Sequence, residues 1–78
     1  MSKAPKITVY STPTCGFCRM AKAYFAAKGL EYDEIDVSQN QTAQAEMIEK
    51  SGQVGVPVIE IDDKIIVGFN RPQIDLLI

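Results

Sequence analysis

Cys15 and Cys18 are the only cysteines in the chain, and they stand as Cys15-Gly16-Phe17-Cys18 where a β-patterned run gives way to a helix. Ile7-Thr8-Val9-Tyr10 precedes them, then Thr12-Pro13-Thr14, and the residues from Met20 to Ala27 read as helix. Cys15 is therefore expected at a helix N-terminus, where unpaired backbone N–H groups and the positive end of the helix dipole favour an anion. A thiol there falls from an ordinary pKa of about 8.5 toward neutrality, and the thiolate is the reactive form. Cys18, three residues on, returns to the same helix face, within reach of a mixed disulfide formed at Cys15.

Two cysteines can also be inert, buried small hydrophobes. The spacing and the strand-to-helix setting favour redox chemistry over that, with metal or cluster binding as the main competitor. A purely structural disulfide is the weakest reading, because so short a loop removes little entropy from the unfolded chain.

The elements needed to position such a pair are legible around it. Phe17, Met20, Ala21, Tyr24 and Phe25 form an apolar helical stripe over Gly16 to Lys28, closed by Gly29 as a C′ residue, with Phe17 at the rim of the site. Leu30 to Val37 reads as a second strand whose charged side suits a sheet edge. Ser38-Gln39-Asn40 offers N-caps for a second helix through Lys50, with Ala43, Met47 and Ile48 inward and Gly52 near its end. Val58-Ile59-Glu60-Ile61 and Ile65-Ile66-Val67 form a hairpin across Asp62-Asp63-Lys64. Asn70 caps a last helix with Arg71 and Pro72 in its first turn and Ile74, Leu77 and Ile78 inward. The order is β-α-β-α-β-β-α, an α/β fold with one four-stranded mixed sheet and helices on both faces.

Seventy-eight residues are expected to make a single domain over residues 1–78. A hydrophobic fraction of 46% argues against disorder, and no stretch has the apolar length to cross a bilayer. A formal charge of −2 offers no electrostatic case for a nucleic-acid partner. The absence of histidine excludes a Cys-His protease or transferase and any mixed Cys/His zinc site within one chain. Met1 to Lys6 lead into the first strand without the apolar segment of a secretory signal, so a reducing cytoplasm is the expected setting. A monomer is the expected state.

Val56-Pro57 opens a run that otherwise reads as an inner strand. Proline cannot donate to a ladder, so it belongs at the strand's first residue, in a trans bond or a cis one. Next to a redox pair, it suits a loop that leaves the preceding backbone N–H and C=O available to an extended thiol peptide.

Together these motifs resemble the glutaredoxin branch of the thioredoxin superfamily. The likeness runs through Val9-Tyr10-Ser11, Cys15 to Cys18, Glu34-Ile35-Asp36-Val37, Gly55-Val56-Pro57 and Val67-Gly68-Phe69. It implies a thioredoxin-like fold, a cis Pro57, Cys15 as exposed nucleophile and Cys18 as resolving thiol in a dithiol–disulfide oxidoreductase. It further implies substrate contacts at Thr14, Phe17, Val56, Pro57, Gly68, Phe69 and Asn70. The implied partners are a disulfide-containing protein and a reductant, with no tightly bound cofactor.

Glutaredoxins hold glutathione with a basic residue upstream of the first cysteine and a Gly-Gly turn followed by an acid. This chain has Thr12 and Gly68-Phe69-Asn70-Arg71 there, and the turn is similar to the Gly-Phe-Arg-Pro of NrdH-redoxins, which thioredoxin reductase recharges. Glutathione and thioredoxin reductase are thus the two candidate reductants, and Arg71 is a candidate for a substrate carboxylate. The alternative functions are a [2Fe–2S] module shared by two chains through glutathione thiols, and a four-thiolate zinc site between two chains. Arg19 and Lys22, four residues beyond Cys15 and Cys18, are candidates for stabilising a thiolate.

Overall fold

The computed structural model describes residues 5–78. Its elements are β1 (Ile7–Ser11), α1 (Gly16–Ala27), β2 (Asp33–Asp36), α2 (Gln41–Ser51), β3 (Val58–Ile61), β4 (Lys64–Val67) and α3 (Arg71–Leu77). The strands form one sheet in the order β2-β1-β3-β4, with β1 parallel to β2 and the β1–β3 and β3–β4 pairs antiparallel. This is the thioredoxin-like arrangement.

Strand alternation divides the core between the two faces of the sheet. Ile7 and Val9 meet Ala21 and Phe25 of α1, Ile74 of α3, and Ile59, Ile61 and Ile66 of the hairpin. On the opposite face, Tyr10 and Val58 pack with Val37, and with Ala43 and Met47 of α2. Register aligns these sets: Val9 lies beside Ile59 and Ile59 beside Ile66, while Tyr10 lies beside Val58. A slip of one residue would exchange the two faces and expose both cores.

Local signals stop and start the helices where the residues demand. At the end of α1, Gly29 takes a left-handed φ of 71°; its N–H donates to the Ala26 carbonyl and the Leu30 N–H to that of Phe25. This double bond pattern satisfies carbonyls the helix cannot, and it folds Leu30 back onto the Phe25 cluster. Asn40 caps α2 by accepting from the Ala43 N–H, and Asn70 caps α3 by accepting from that of Gln73.

Several boundaries differ from the sequence pattern. The second strand begins at Asp33, because Tyr32 and Leu30 turn inward to cover the end of the core below α1. Lys64 belongs to β4 and pairs with Ile61, leaving a two-residue turn in which Asp62 adopts a left-handed φ of 55°. Asp62 also accepts from the Lys6 N–H through its carboxylate and donates its own N–H to the Lys6 carbonyl, fastening the hairpin tip to the start of β1.

The apolar stripes are narrower than the sequence pattern implies. In α1 the inner face is Cys18, Ala21 and Phe25, so Met20, about 200° around the helix from Cys18, is exposed. Ile48 and Ile78, expected inward, are also exposed, since α2 already covers its sheet face with Ala43 and Met47 and α3 with Ile74.

Candidate functional site

Three segments converge at the end of the sheet where β1 finishes and β3 begins. After Ser11 the chain turns through Thr12 to Thr14, with the Cys15 N–H donating to the Thr12 carbonyl. Cys15 then caps α1 in an extended conformation, and its sulfur accepts the Cys18 N–H at 3.2 Å. The two cysteines form a disulfide with their Cα atoms 5.2 Å apart. Cys15 is half-buried, whereas Cys18 lies only 1% exposed on the inner face of α1. The two cysteines thus differ sharply in accessibility.

The second segment enters β3. The Tyr10–Val58 pairing brings Pro57 beside Ser11, at the same end of the sheet as the dithiol loop. The Val56–Pro57 bond is cis, and Pro57 is fully buried. Among the described residues, neither the N–H nor the C=O of Val56 carries a hydrogen bond, while its side chain packs on the α2 cluster. An edge group held by its own side chain and free along its backbone is fitted to receive an extended chain.

Gly68 supplies the third segment. Its φ is 80°, which favours glycine, and its N–H donates to the Pro57 carbonyl at 2.9 Å. The turn at Gly68, Phe69 and Asn70 is consequently tied to the proline loop. Phe69 is half-buried and meets the ring of Tyr24 on α1 edge-on, with centroids 5.7 Å apart. Asn70 has both side-chain atoms engaged with Gln73: the oxygen accepts from its N–H and the amide donates to its side chain.

The candidate residues thus occupy one end of the molecule, in different environments. Phe17 and Met20 stand out at 62% and 52% exposure beside the dithiol, and Thr14 is exposed in the preceding loop. Arg19 and Lys22, spaced to serve the cysteines, are engaged elsewhere. The Arg19 guanidinium donates to the Pro13 carbonyl, which braces the loop before Cys15. Lys22 pairs with Glu34 of β2, which also accepts from the buried Ser11 hydroxyl. Lys22, and then Ser11, hold the Glu34 carboxyl below the ordinary carboxylate range. Helical spacing placed these cations correctly but could not reveal the carbonyl and carboxylate waiting on other segments.

Tyr24 is a residue the sequence pattern assigned only to the core. In the structure its ring touches Phe69 and its hydroxyl donates to Asp75, so it joins the dithiol helix to α3. Nothing in the helical stripe distinguishes it from Phe25. The polar tip of tyrosine, which usually finds a partner when its ring is partly covered, is the one signal available.

Comparison with known proteins agrees with this geometry. The Glutaredoxin family model matches residues 7–66. A glutaredoxin-like 8.6 kDa protein of Clostridium pasteurianum, from its rubredoxin operon, is 46% identical over 72 residues, covering 92% of this chain and 96% of that protein. Glutaredoxin 3 of Escherichia coli is 38% identical over 56 residues, 72% of this chain and 68% of its own. Among solved structures, the glutaredoxin-like NrdH-redoxin of Escherichia coli, described as having a thioredoxin-like activity profile, superposes with a TM-score of 0.81 at 27% identity. That match covers 94% of this chain and 95% of the other. The chain belongs to the glutaredoxin family, and with its Cys15–Cys18 pair it is a thiol–disulfide oxidoreductase.

Proposed function

We propose that the protein reduces disulfides of protein partners through a two-step dithiol exchange and is recharged by thioredoxin reductase rather than by glutathione. The observation that carries the exchange is the asymmetry of the pair. Cys15 is accessible and receives an N–H at its sulfur, so its thiolate is the nucleophile, while Cys18 is shielded on the inner face of α1.

In the first step the Cys15 thiolate attacks one sulfur of the substrate disulfide; a mixed disulfide forms and the other substrate sulfur leaves as a thiolate. Cys18 then attacks the Cys15 sulfur as its proton passes to the substrate thiolate released in the first step. The Cys15–Cys18 disulfide closes, the second substrate thiolate leaves, and two electrons have passed to the substrate. The unpaired N–H and C=O of Val56 serve to align the substrate chain next to Cys15, with Pro57, Thr14, Phe17 and the Gly68–Asn70 turn around it. A reducing cytoplasm is the compartment in which the cycle runs.

The choice of reductant rests on the third segment. Glutathione presents an ammonium and two carboxylates, and a glutaredoxin turn answers the ammonium with an acid. Here the side chain of Asn70 is held by Gln73, and the next residue is a cation, Arg71. No basic residue stands at Thr12 to receive a carboxylate. A coupled assay tests both parts. NADPH consumption is expected with thioredoxin reductase and not with glutathione plus glutathione reductase. Cys15→Ser is expected to abolish it, and Cys18→Ser to accumulate a mixed disulfide visible by mass spectrometry. Turnover supported only by glutathione would reverse the assignment of the reductant.

A further inference from the structure

Arg71 begins α3 immediately after the turn tied to Pro57, and it is exposed. Among the described residues it enters no ion pair. Its natural neighbour is Asp75, four residues on along the same helix face, a spacing at which arginine and aspartate ordinarily attract. That carboxylate is directed elsewhere: it accepts from the Tyr24 hydroxyl of α1. The same tyrosine receives the guanidinium, whose central carbon lies 5.0 Å from the ring centroid. Lys28 adds a second cation to this ring, at 5.1 Å.

One side chain therefore does two things. Its hydroxyl withdraws the carboxylate that would neutralise Arg71, and its ring holds the guanidinium by cation–π attraction, an interaction that engages the charge without consuming the N–H donors. What results is an oriented cation without an ion-pair partner, with a second cation beside it, a few residues from the Gly68–Pro57 bond. We infer that Arg71, held over Tyr24, recognises a carboxylate on the protein that exchanges electrons with the dithiol, an acidic segment seated alongside the exchange site. The inference rests on the reading that thioredoxin reductase recharges the pair, and deepens it by naming what the turn would recognise. A single exposed guanidinium holds a free small carboxylate weakly. It gains leverage when the carboxylate belongs to a chain already placed at Cys15, where the second contact forms within one complex.

The test compares three electron routes in the full protein: NADPH with thioredoxin reductase, glutathione with glutathione reductase, and dithiothreitol with a neutral small disulfide. R71Q is expected to raise the KM for the protein as substrate of the reductase roughly tenfold, and R71E further, with kcat changing by less than about twofold. In the neutral-disulfide route the change is expected to stay under about twofold, because that substrate has no carboxylate. Raising salt should weaken the wild-type reaction with reductase and affect R71Q much less.

Tyr24→Phe removes the hydroxyl and returns Asp75 to Arg71, so it should raise the same KM. Adding Asp75→Asn to Tyr24→Phe should restore it. A merely structural role for the tyrosine hydroxyl predicts no such rescue. An unchanged reductase KM in both R71Q and R71E, a loss confined to the glutathione route, or failure of Asp75→Asn to rescue would overturn the inference. Wild-type protein that draws nothing from the reductase would overturn the recharge reading as well, and that result is distinct from the other three.

Discussion

The dithiol side of the exchange end and the turn side are anchored to very different degrees. Cys15 and Cys18 stand on α1, which packs Ala21 and Phe25 against β1, a strand paired on both edges and covered on both faces. The Gly68–Asn70 turn leads instead into α3, seven residues long, in which Ile74 is the one buried side chain. The turn is fixed by a few discrete contacts: Gly68 to Pro57, Phe69 and Arg71 to the Tyr24 ring, and Asp75 to its hydroxyl. Elements with little buried area open at low free energy, and surfaces that adapt to partners are drawn from them. The reacting sulfurs need a constant geometry, whereas the partner-facing turn can vary without disturbing it.

Breaking the rigid side should give the largest effect. Cys15→Ser is expected to lower turnover by about three orders of magnitude with any reductant, measured as NADPH consumption, because a hydroxyl replaces the accessible thiol of the pair. Ile74→Ala removes the main anchor of the other side and should cost about 2–5 kcal/mol in stability toward denaturant. The comparison is sharpened by hydrogen exchange on this variant. Protection in α3 should fall well before that in β1, and residual activity on a small disulfide should outlast activity on a protein.

Re-equipping the turn should produce a smaller, directed change. Thr12→Lys combined with Arg71→Asp supplies the cation and the acid that glutathione needs. Glutathione-driven turnover, not expected in the wild type, should appear in this variant, while reaction with the reductase falls. Asn70→Ala removes the α3 cap at a cost of about 1 kcal/mol, and a lower thermal midpoint would register it.

The smallest expected effect lies on the flank of the dithiol helix, at Glu34. Its pKa is held down in the folded state by Lys22 and Ser11, so its contribution is present above the unfolded pKa and is lost as pH falls through the folded one. The Glu34 side chain is 41% exposed, and solvent screening limits the effect to about 0.5 kcal/mol. Glu34→Gln should therefore destabilise the protein slightly at pH 7, with the difference from wild type shrinking as pH falls through the folded Glu34 pKa in a thermal-melt series.

Much of this architecture was readable because it depends on local or periodic signals. The order of seven elements, the Asn40 and Asn70 caps, the Gly29 stop and the edge position of β2 follow from turn chemistry and alternation. The misread positions, Met20, Ile48 and Ile78, share one cause. A short helix buries only the residues facing its neighbours, and apolar type alone does not show where that contact ends. The partners of Arg19 and Lys22 were out of view for a related reason: spacing along a helix identifies neighbours on that helix and is silent about Pro13 or Glu34.

By itself, the sequence determined that a Cys15–Cys18 pair would cap a helix at the end of a strand, with a proline opening the third strand, since those placements depend on covalent spacing and backbone preference. Tertiary structure alone decided that Cys18 is almost fully buried on the inner face of α1, and that Tyr24 takes Asp75 away from Arg71. Burial and the pairing of charges depend on which segments meet across the fold. Tyr24 and Asp75 lie 51 residues apart in the chain, and no local pattern joins them.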